Sequence, residues 1–286
     1  MRAISIKINS NSFVIKDYSE NGFFIAKSVI PKEVIHKILE ETNLVVKQQL
    51  KILDLPYKEN SSQDDIFHNF KTLFDADSAK YLKSVKILSK NFEVIKLFCR
   101  DEIKHLLEQL GIKHCIFPTD PAFHIMSDEL KIPGGYYGFA PHQDYPSMQG
   151  SLDAPVIWIP LVNIDRNSYP LEIIPKTHHF GMMKGEMRDN CYEVDKSYYK
   201  DSDFIPVEVE VGDVVLMTSF TVHRSGLTGR KNSIRLACSN RVDNLEEEFF
   251  AKRTYPTVYK RVVERIILEP GFPSLVQVKN IFKDSA

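Results

Sequence analysis

Residues 206–225 read PVEVEVGDVVLMTSFTVHRS. Apolar and charged residues alternate in the first part, which puts Val207, Val209 and Val211 on one face, the period of a half-buried strand. Gly212-Asp213 marks a turn, and VVLMTS then resumes as a second strand that stops just before His223. The same texture holds from about residue 121 onward. Short β-branched and aromatic runs are separated by Pro, Gly and Asn, with strands expected at 121–126, 136–141, 154–162, 170–174, 206–211, 213–218 and 233–241. That rhythm is the pattern of an all-β sandwich or barrel.

Upstream of this region the pattern differs. Residues 13–30 read as short strands, including the apolar stretch GFFIAKSVI. Pro31 opens a helix to about residue 52, with Val34, Ile35, Ile38 and Leu39 at helical spacing. Further helices are expected at about 77–91 and 92–110. In the second of these Val94, Leu97, Phe98, Ile103, Leu106 and Leu107 form an apolar stripe suited to core packing. Residues 181–205 break the strand rhythm and read as a long connection, either a lid or a solvated insertion. Residues 257–268 read as a closing helix. The expected organisation is one domain over 1–286: strand and helical support to 120, a β core over 121–245 carrying the candidate lid, and a C-terminal helical segment over 246–286.

The chain has 286 residues, 43% of them hydrophobic, enough for a full core. A formal net charge of −1 gives no general field for nucleic acid or an anionic membrane. No apolar run approaches the length of a membrane span, and the first residues lack the apolar region of a signal peptide. The four cysteines, Cys99, Cys115, Cys191 and Cys238, are scattered without a CxxC pair. They are expected to be reduced thiols in a cytoplasmic protein. A small molecule is the expected partner.

Chemistry gathers around the β region. His142-Gln143-Asp144 places a histidine and a carboxylate at i, i+2, which on a strand aims both side chains to one face. His223 offers a second imidazole at a strand end. Two histidines and one carboxylate around an open coordination face are the ligand set of non-haem Fe(II) oxygenases. Strand 233–241 alternates again: Ile234, Leu236 and Cys238 face one way, Arg235, Ala237, Ser239 and Arg241 the other. Small residues between the arginines leave room for a ligand. A fixed guanidinium at Arg235 suits bidentate capture of a dicarboxylate such as 2-oxoglutarate.

Several stretches, taken in order, resemble the phytanoyl-CoA dioxygenase family of Fe(II)/2-oxoglutarate-dependent oxygenases. They are YSENGFFIAKSVIPKEVIHKIL from Tyr18, HQDYPSMQGS from His142, IPLVNID from Ile159, LEIIPKTHH from Leu171, VEVGDVVLMTSFTVHRSG from Val209, and SIR ending at Arg235. The resemblance implies a mainly β fold with flanking helices around a double-stranded β-helix, the cupin-like jelly roll. It implies His142, Asp144 and His223 as iron ligands, with 2-oxoglutarate and O₂ as cosubstrates. Arg235 would take the distal carboxylate of 2-oxoglutarate, helped by Ser225. Trp158 falls where many members carry a tryptophan near the cosubstrate, and His124 where they often place a polar residue, commonly glutamine. The spacing from His223 to Arg235 is one residue longer than in some members.

Retention of Asp144 argues for hydroxylation or a related oxidation and against halogenation, which needs that ligand position vacated. His178 is a rival distal ligand, but no arginine-bearing strand follows it at close range. Tyr136, Tyr137, Phe139 and Tyr145 stand where they can line a substrate mouth, with Tyr137, Tyr145 and, as an anion contact, Arg241 the candidates for touching substrate. HQDYPSMQGS is similar to bacterial members that modify sugars, antibiotics or other small polar metabolites. Acyl-CoA and phosphonate substrates are alternatives, although no concentrated basic patch awaits a nucleotide. A catalytically silent cupin-like binding protein and a zinc or manganese enzyme are the competing classes.

Overall fold

The structure, a computed structural model, describes residues 11–131, 138–188 and 191–256. It opens with helix α1 (Asn11–Asn21) and strand β1 (Phe23–Ala26), followed by the helices α2 (Lys32–Ile52), α3 (Gln63–Ala76), α4 (Ser78–Lys86), α5 (Phe92–Phe98) and α6 (Asp101–Gln109). Then come β2 (Cys115–Ile116), β3 (Ala122–Met126), the short helix α7 (Tyr145–Met148), β4 (Pro155–Pro160), β5 (Leu171–Ile173), β6 (Gly185–Arg188) and β7 (Cys191–Val194). The last elements are β8 (Ile205–Val207), β9 (Val214–Thr218), β10 (His223–Ser225), β11 (Arg235–Arg241), β12 (Asp243–Asn244) and α8 (Glu248–Lys252).

Two sheets carry the fold. The major sheet runs β1-β9-β4-β11-β3, antiparallel throughout. The minor sheet contains β10-β5-β8. His142 extends it: its backbone bridges antiparallel to His223 on one side and to Glu193 of β7 on the other. The amide of Val194 also donates to the carbonyl of Pro141 at 2.9 Å, so the β6–β7 hairpin is zipped to the segment that carries His142. The result is the mainly β jelly roll with flanking helices that the sequence implies.

The helices pack on this frame through regular stripes. In α2 the buried residues Ile35, Ile38, Leu39, Thr42, Asn43, Val46 and Leu50 follow helical spacing. They join residues of both sheets in one continuous core that includes Ile157, Ile159, Val215, Leu216, Leu236 and Cys238. Asn43 and Asn69 are fully buried and bond to each other at 2.7 Å. They also hold the 58–60 backbone: Asn69 exchanges both amide bonds with Lys58, and Asn43 donates to the Asn60 carbonyl at 2.5 Å.

The structure departs from the sequence expectations in several places. Much of 13–30 is helix rather than strand. Gly22, at φ 79°, ends α1 by donating to the Tyr18 carbonyl, and only Phe23–Ala26 pairs with β9. Residues 92–110 form two helices, because Arg100 is extended at ψ 150°. Helix α3 has no counterpart in the sequence reading. Residues 181–205 are not an open loop: they hold the β6–β7 hairpin and two 3₁₀ turns. Residues 138–141 are irregular rather than a strand; 132–137, with Tyr136 and Tyr137, and the expected helix 257–268 lie outside the described residues. Among the described residues no helix is long and apolar enough to cross a membrane.

Candidate metal centre

His142, Asp144 and His223 converge. Each offers one ligand atom, and these atoms lie within 4.8 Å of one another in a fully buried setting. The reason differs from the expected strand alternation. His142 is held as a sheet residue by paired hydrogen bonds with His223, each at 3.0 Å. Asp144 already has helical backbone, φ −74° and ψ −31°, and its carbonyl accepts the first bonds of α7. The chain thus bends into a helical turn, and the carboxylate swings toward the imidazoles. Gln143 between them is fully buried and fixes that bend. Its amide nitrogen donates to the carbonyls of Gly181 (2.8 Å) and Phe220 (2.6 Å), and its oxygen accepts from the Met183 amide at 2.8 Å. Nothing in the sequence distinguishes Gln143 beyond its place between two candidate ligands.

The tautomers follow from the partners. His142 Nδ1 is 2.7 Å from the Ala140 carbonyl and His223 Nδ1 is 2.9 Å from the Thr221 carbonyl. A carbonyl only accepts, so Nδ1 carries the proton in both rings and each Nε2 presents a lone pair. Burial, with the neighbouring His223, holds His142 down at about 3, and burial also lowers His223. Both rings are therefore neutral and ready as ligands. Burial alone would raise the Asp144 carboxyl, but the Arg241 guanidinium beside it outweighs burial and holds it well below the usual carboxylate range. Asp144 Oδ1 accepts from Arg241 Nη2 at 2.8 Å. Oδ2 is buried, has no hydrogen-bond partner among the described residues, and stands 3.6 Å from His223 Nε2. Two outward-pinned imidazoles and one unbonded carboxylate oxygen fit a divalent cation with nitrogen and oxygen preference.

One pocket joins His142 and His223 to His124, Phe139, Trp158, Ser225, Arg235, Ser239 and Arg241, and Asp144 sits beside it, held by Arg241. Strand β11 supplies three of these from one face, as its alternation required, while Leu236 and Cys238 enter the core. Arg235 is buried and donates to the Tyr169 carbonyl at 2.7 Å and to Ser225 Oγ at 3.4 Å. Tyr169 is held at φ 54° with its ring over Gly229, where a Cβ would stand 1.9 Å from the ring. Only glycine fits there, and the position of Tyr169 sets the carbonyl that Arg235 meets. Trp158 lies on β4, opposite Ser239. His124 Nε2 is 2.8 Å from Ser239 Oγ, and burial together with Arg235 and Arg241 lowers its pKa to about 3.

The three residues expected to touch substrate stand in different positions. Tyr145 stacks on Phe220 at 4.5 Å and does not line the pocket. Arg241 reaches the pocket but is engaged by Asp144 and Ser239. Tyr137 lies outside the described residues. His178 bonds the Ser19 carbonyl at 2.8 Å and takes no part in the trio.

A jelly roll enclosing such a trio is the architecture of cupin-like oxygenases. The chain belongs to the phytanoyl-CoA dioxygenase family: the family profile described as Phytanoyl-CoA dioxygenase (PhyH) matches residues 18–231. Fe(II) and 2-oxoglutarate are the cofactor and cosubstrate of this family. No curated protein matches the chain at a significant level. Among solved structures the fold is similar to the epimerase SnoN in complex with Fe3+, alpha ketoglutarate and nogalamycin RO (14% identity, TM-score 0.52, covering 82% of this chain and 83% of that one). It is also similar to the non-heme alpha ketoglutarate dependent carbocyclase SnoK from nogalamycin biosynthesis (14% identity, TM-score 0.51, 87% and 94% covered). A third similar fold is the non-heme monooxygenase ThoJ (12% identity, TM-score 0.50, 81% and 77% covered). At these identities the likeness is one of fold.

Proposed function

We propose that this protein is a non-haem Fe(II)/2-oxoglutarate-dependent hydroxylase acting on an aliphatic C–H bond of a small polar metabolite, with a sugar or an antibiotic-type natural product favoured. The observation that carries this reading is the meeting of two neutral imidazoles and one carboxylate within 4.8 Å of one another, with both imidazoles lining the same pocket as the Arg235 guanidinium. His142, Asp144 and His223 would hold the metal, and Arg235 with Ser225 would receive the distal carboxylate of 2-oxoglutarate. Iron, the 2-oxo acid and O₂ together supply the oxidation, in which 2-oxoglutarate leaves as succinate and CO₂ and the substrate gains a hydroxyl.

The chain's own residues position and shield. The Ala140 and Thr221 carbonyls orient the imidazoles. Gln143 fixes the bend that aims Asp144. Trp158, Phe139, Leu171 and Met217 form apolar walls that restrict water around the reacting centre. Asp144 keeps the third ligand position filled by the protein, which supports hydroxylation over halogenation. The similarity to SnoN, bound to nogalamycin RO, and to SnoK, from nogalamycin biosynthesis, supports a natural-product substrate. The whole of 1–286 reads as one domain, and four cysteines in thiol form fit a cytoplasmic location.

The test is succinate release from protein, Fe(II), 2-oxoglutarate and air, screened across sugars, glycosides and aminocyclitols, with mass spectrometry of any accelerating compound. The expected result is slow release alone, faster release with the true substrate, and a product heavier by one oxygen. Failure of the anaerobic complex to develop a visible charge-transfer band with iron fully loaded would falsify the assignment and favour a silent binding protein. A product of unchanged oxygen count would instead point to another C–H oxidation at the same centre.

A further inference from the structure

Arg241, the last residue of β11, divides its guanidinium between two acceptors. Nη2 donates to Asp144 Oδ1 at 2.8 Å and Nη1 to Ser239 Oγ at 3.1 Å. Ser239 Oγ is in turn 2.8 Å from His124 Nε2. A continuous polar run therefore crosses from β3 through β11 to the carboxylate. It engages one carboxylate oxygen and leaves the other, Oδ2, buried beside His223 Nε2 without a hydrogen bond among the described residues.

That asymmetry has a chemical meaning. A carboxylate can give a cation one oxygen or two, and the second oxygen occupies a coordination position of its own. Here Oδ1 already accepts a charge-assisted hydrogen bond from a guanidinium whose other arm is tied to Ser239. Chelation through both oxygens would make Oδ1 serve the cation and the guanidinium together, each weakening the other's hold, so the guanidinium disfavours it. We propose that Arg241 is a positioning residue that fixes Asp144 as a one-oxygen ligand, presenting Oδ2 alone and keeping a coordination position open for the cosubstrate and O₂. Ser239 and His124 hold Arg241 in place. This inference rests on the metal-centre reading above, and it moves Arg241 from the substrate to the ligand shell.

The test counts water on the metal and needs no turnover. Wild type, Arg241→Met, Arg241→Lys and Ser239→Ala are each loaded with Mn(II), and exchangeable bound water is counted by water-proton relaxation. The Arg241→Met centre is expected to hold one water fewer than wild type, because Oδ1 takes that position. Arg241→Lys, which keeps a donor and a charge, restores the wild-type count in whole or in part. Ser239→Ala, which removes one anchor of Arg241, shifts the count in the same direction by less. An equal count in wild type and Arg241→Met overturns the role and returns Arg241 to an anion contact for substrate. If Arg241→Met does not fold, a wild-type count in Ser239→Ala overturns it. A wild-type protein that binds no Mn(II) overturns the metal centre itself, an outcome distinct from a bound metal with unaltered water.

Discussion

Neutral imidazoles in a buried pocket leave a mark on the stability of the whole chain. His124 and His142 are held at about 3 in the folded protein, mainly by burial, whereas an unfolded histidine titrates near roughly 6.5. Between those values the unfolded chain binds protons that the folded chain refuses. Stability of the metal-free protein is therefore complete above roughly pH 6.5 and declines as pH falls toward about 3. The melting temperature of metal-free protein should drop on acidification from about pH 7.5 to about pH 5, and His124→Gln should make that slope shallower. Arg235 makes a second prediction. Its planar fork is matched by no other cation, so Arg235→Lys should raise the 2-oxoglutarate concentration needed for half-maximal succinate release by roughly 10-fold or more. Unchanged dependence would remove Arg235 from cosubstrate binding. At this scale the convergence of His142, Asp144 and His223, and the pocket-facing side of β11, were legible from spacing. Three things were not. Asp144 gets its direction from a helical turn, Gln143 acts through three backbone groups distant in sequence, and Tyr145 finds a stacking partner in Phe220; each depends on contacts that no local pattern encodes.

Local structure was readable where one face is buried against one partner, as in α2, β9 and β11. It failed where the signal was shared or short. Helix α3 carries Ile66, Phe67, Phe70 and Leu73 at helical spacing, with Ser62 capping the Asp65 amide, but the stretch before it is polar and masks the start. Hairpin β6–β7 is only four residues a side, too short to stand alone, and it is bridged to the segment holding His142. The Asn43–Asn69 pair shows how a polar residue in an apolar stripe can be structural. Replacing Asn69 with Leu leaves the buried Asn43 side-chain oxygen and the part-buried Lys58 amide and carbonyl without this partner. The expected cost is about 2–4 kcal/mol in denaturant unfolding, with metal binding retained in the folded fraction. A loss under roughly 0.5 kcal/mol would show that water replaces the pair.

Across the molecule, one apolar core links the helical layer to both sheets, so the jelly roll and its helices should unfold together. A metal that binds only the folded chain stabilises all of it. Adding Co(II) at about 100 times its dissociation constant should contribute about 2.7 kcal/mol and raise the melting temperature in a single transition; a chelator should reverse this, and Asp144→Ala should abolish most of it. Two separate transitions would divide the chain into independent units. The same architecture supplies its own reporter. The chain has one tryptophan, Trp158, and that indole lies in the wall of the pocket beside Arg235 and the ligand trio. Its emission comes from a single known place, so quenching by a paramagnetic ion, or a spectral shift when a dicarboxylate enters, can be read as occupancy without dyes, labels or catalysis.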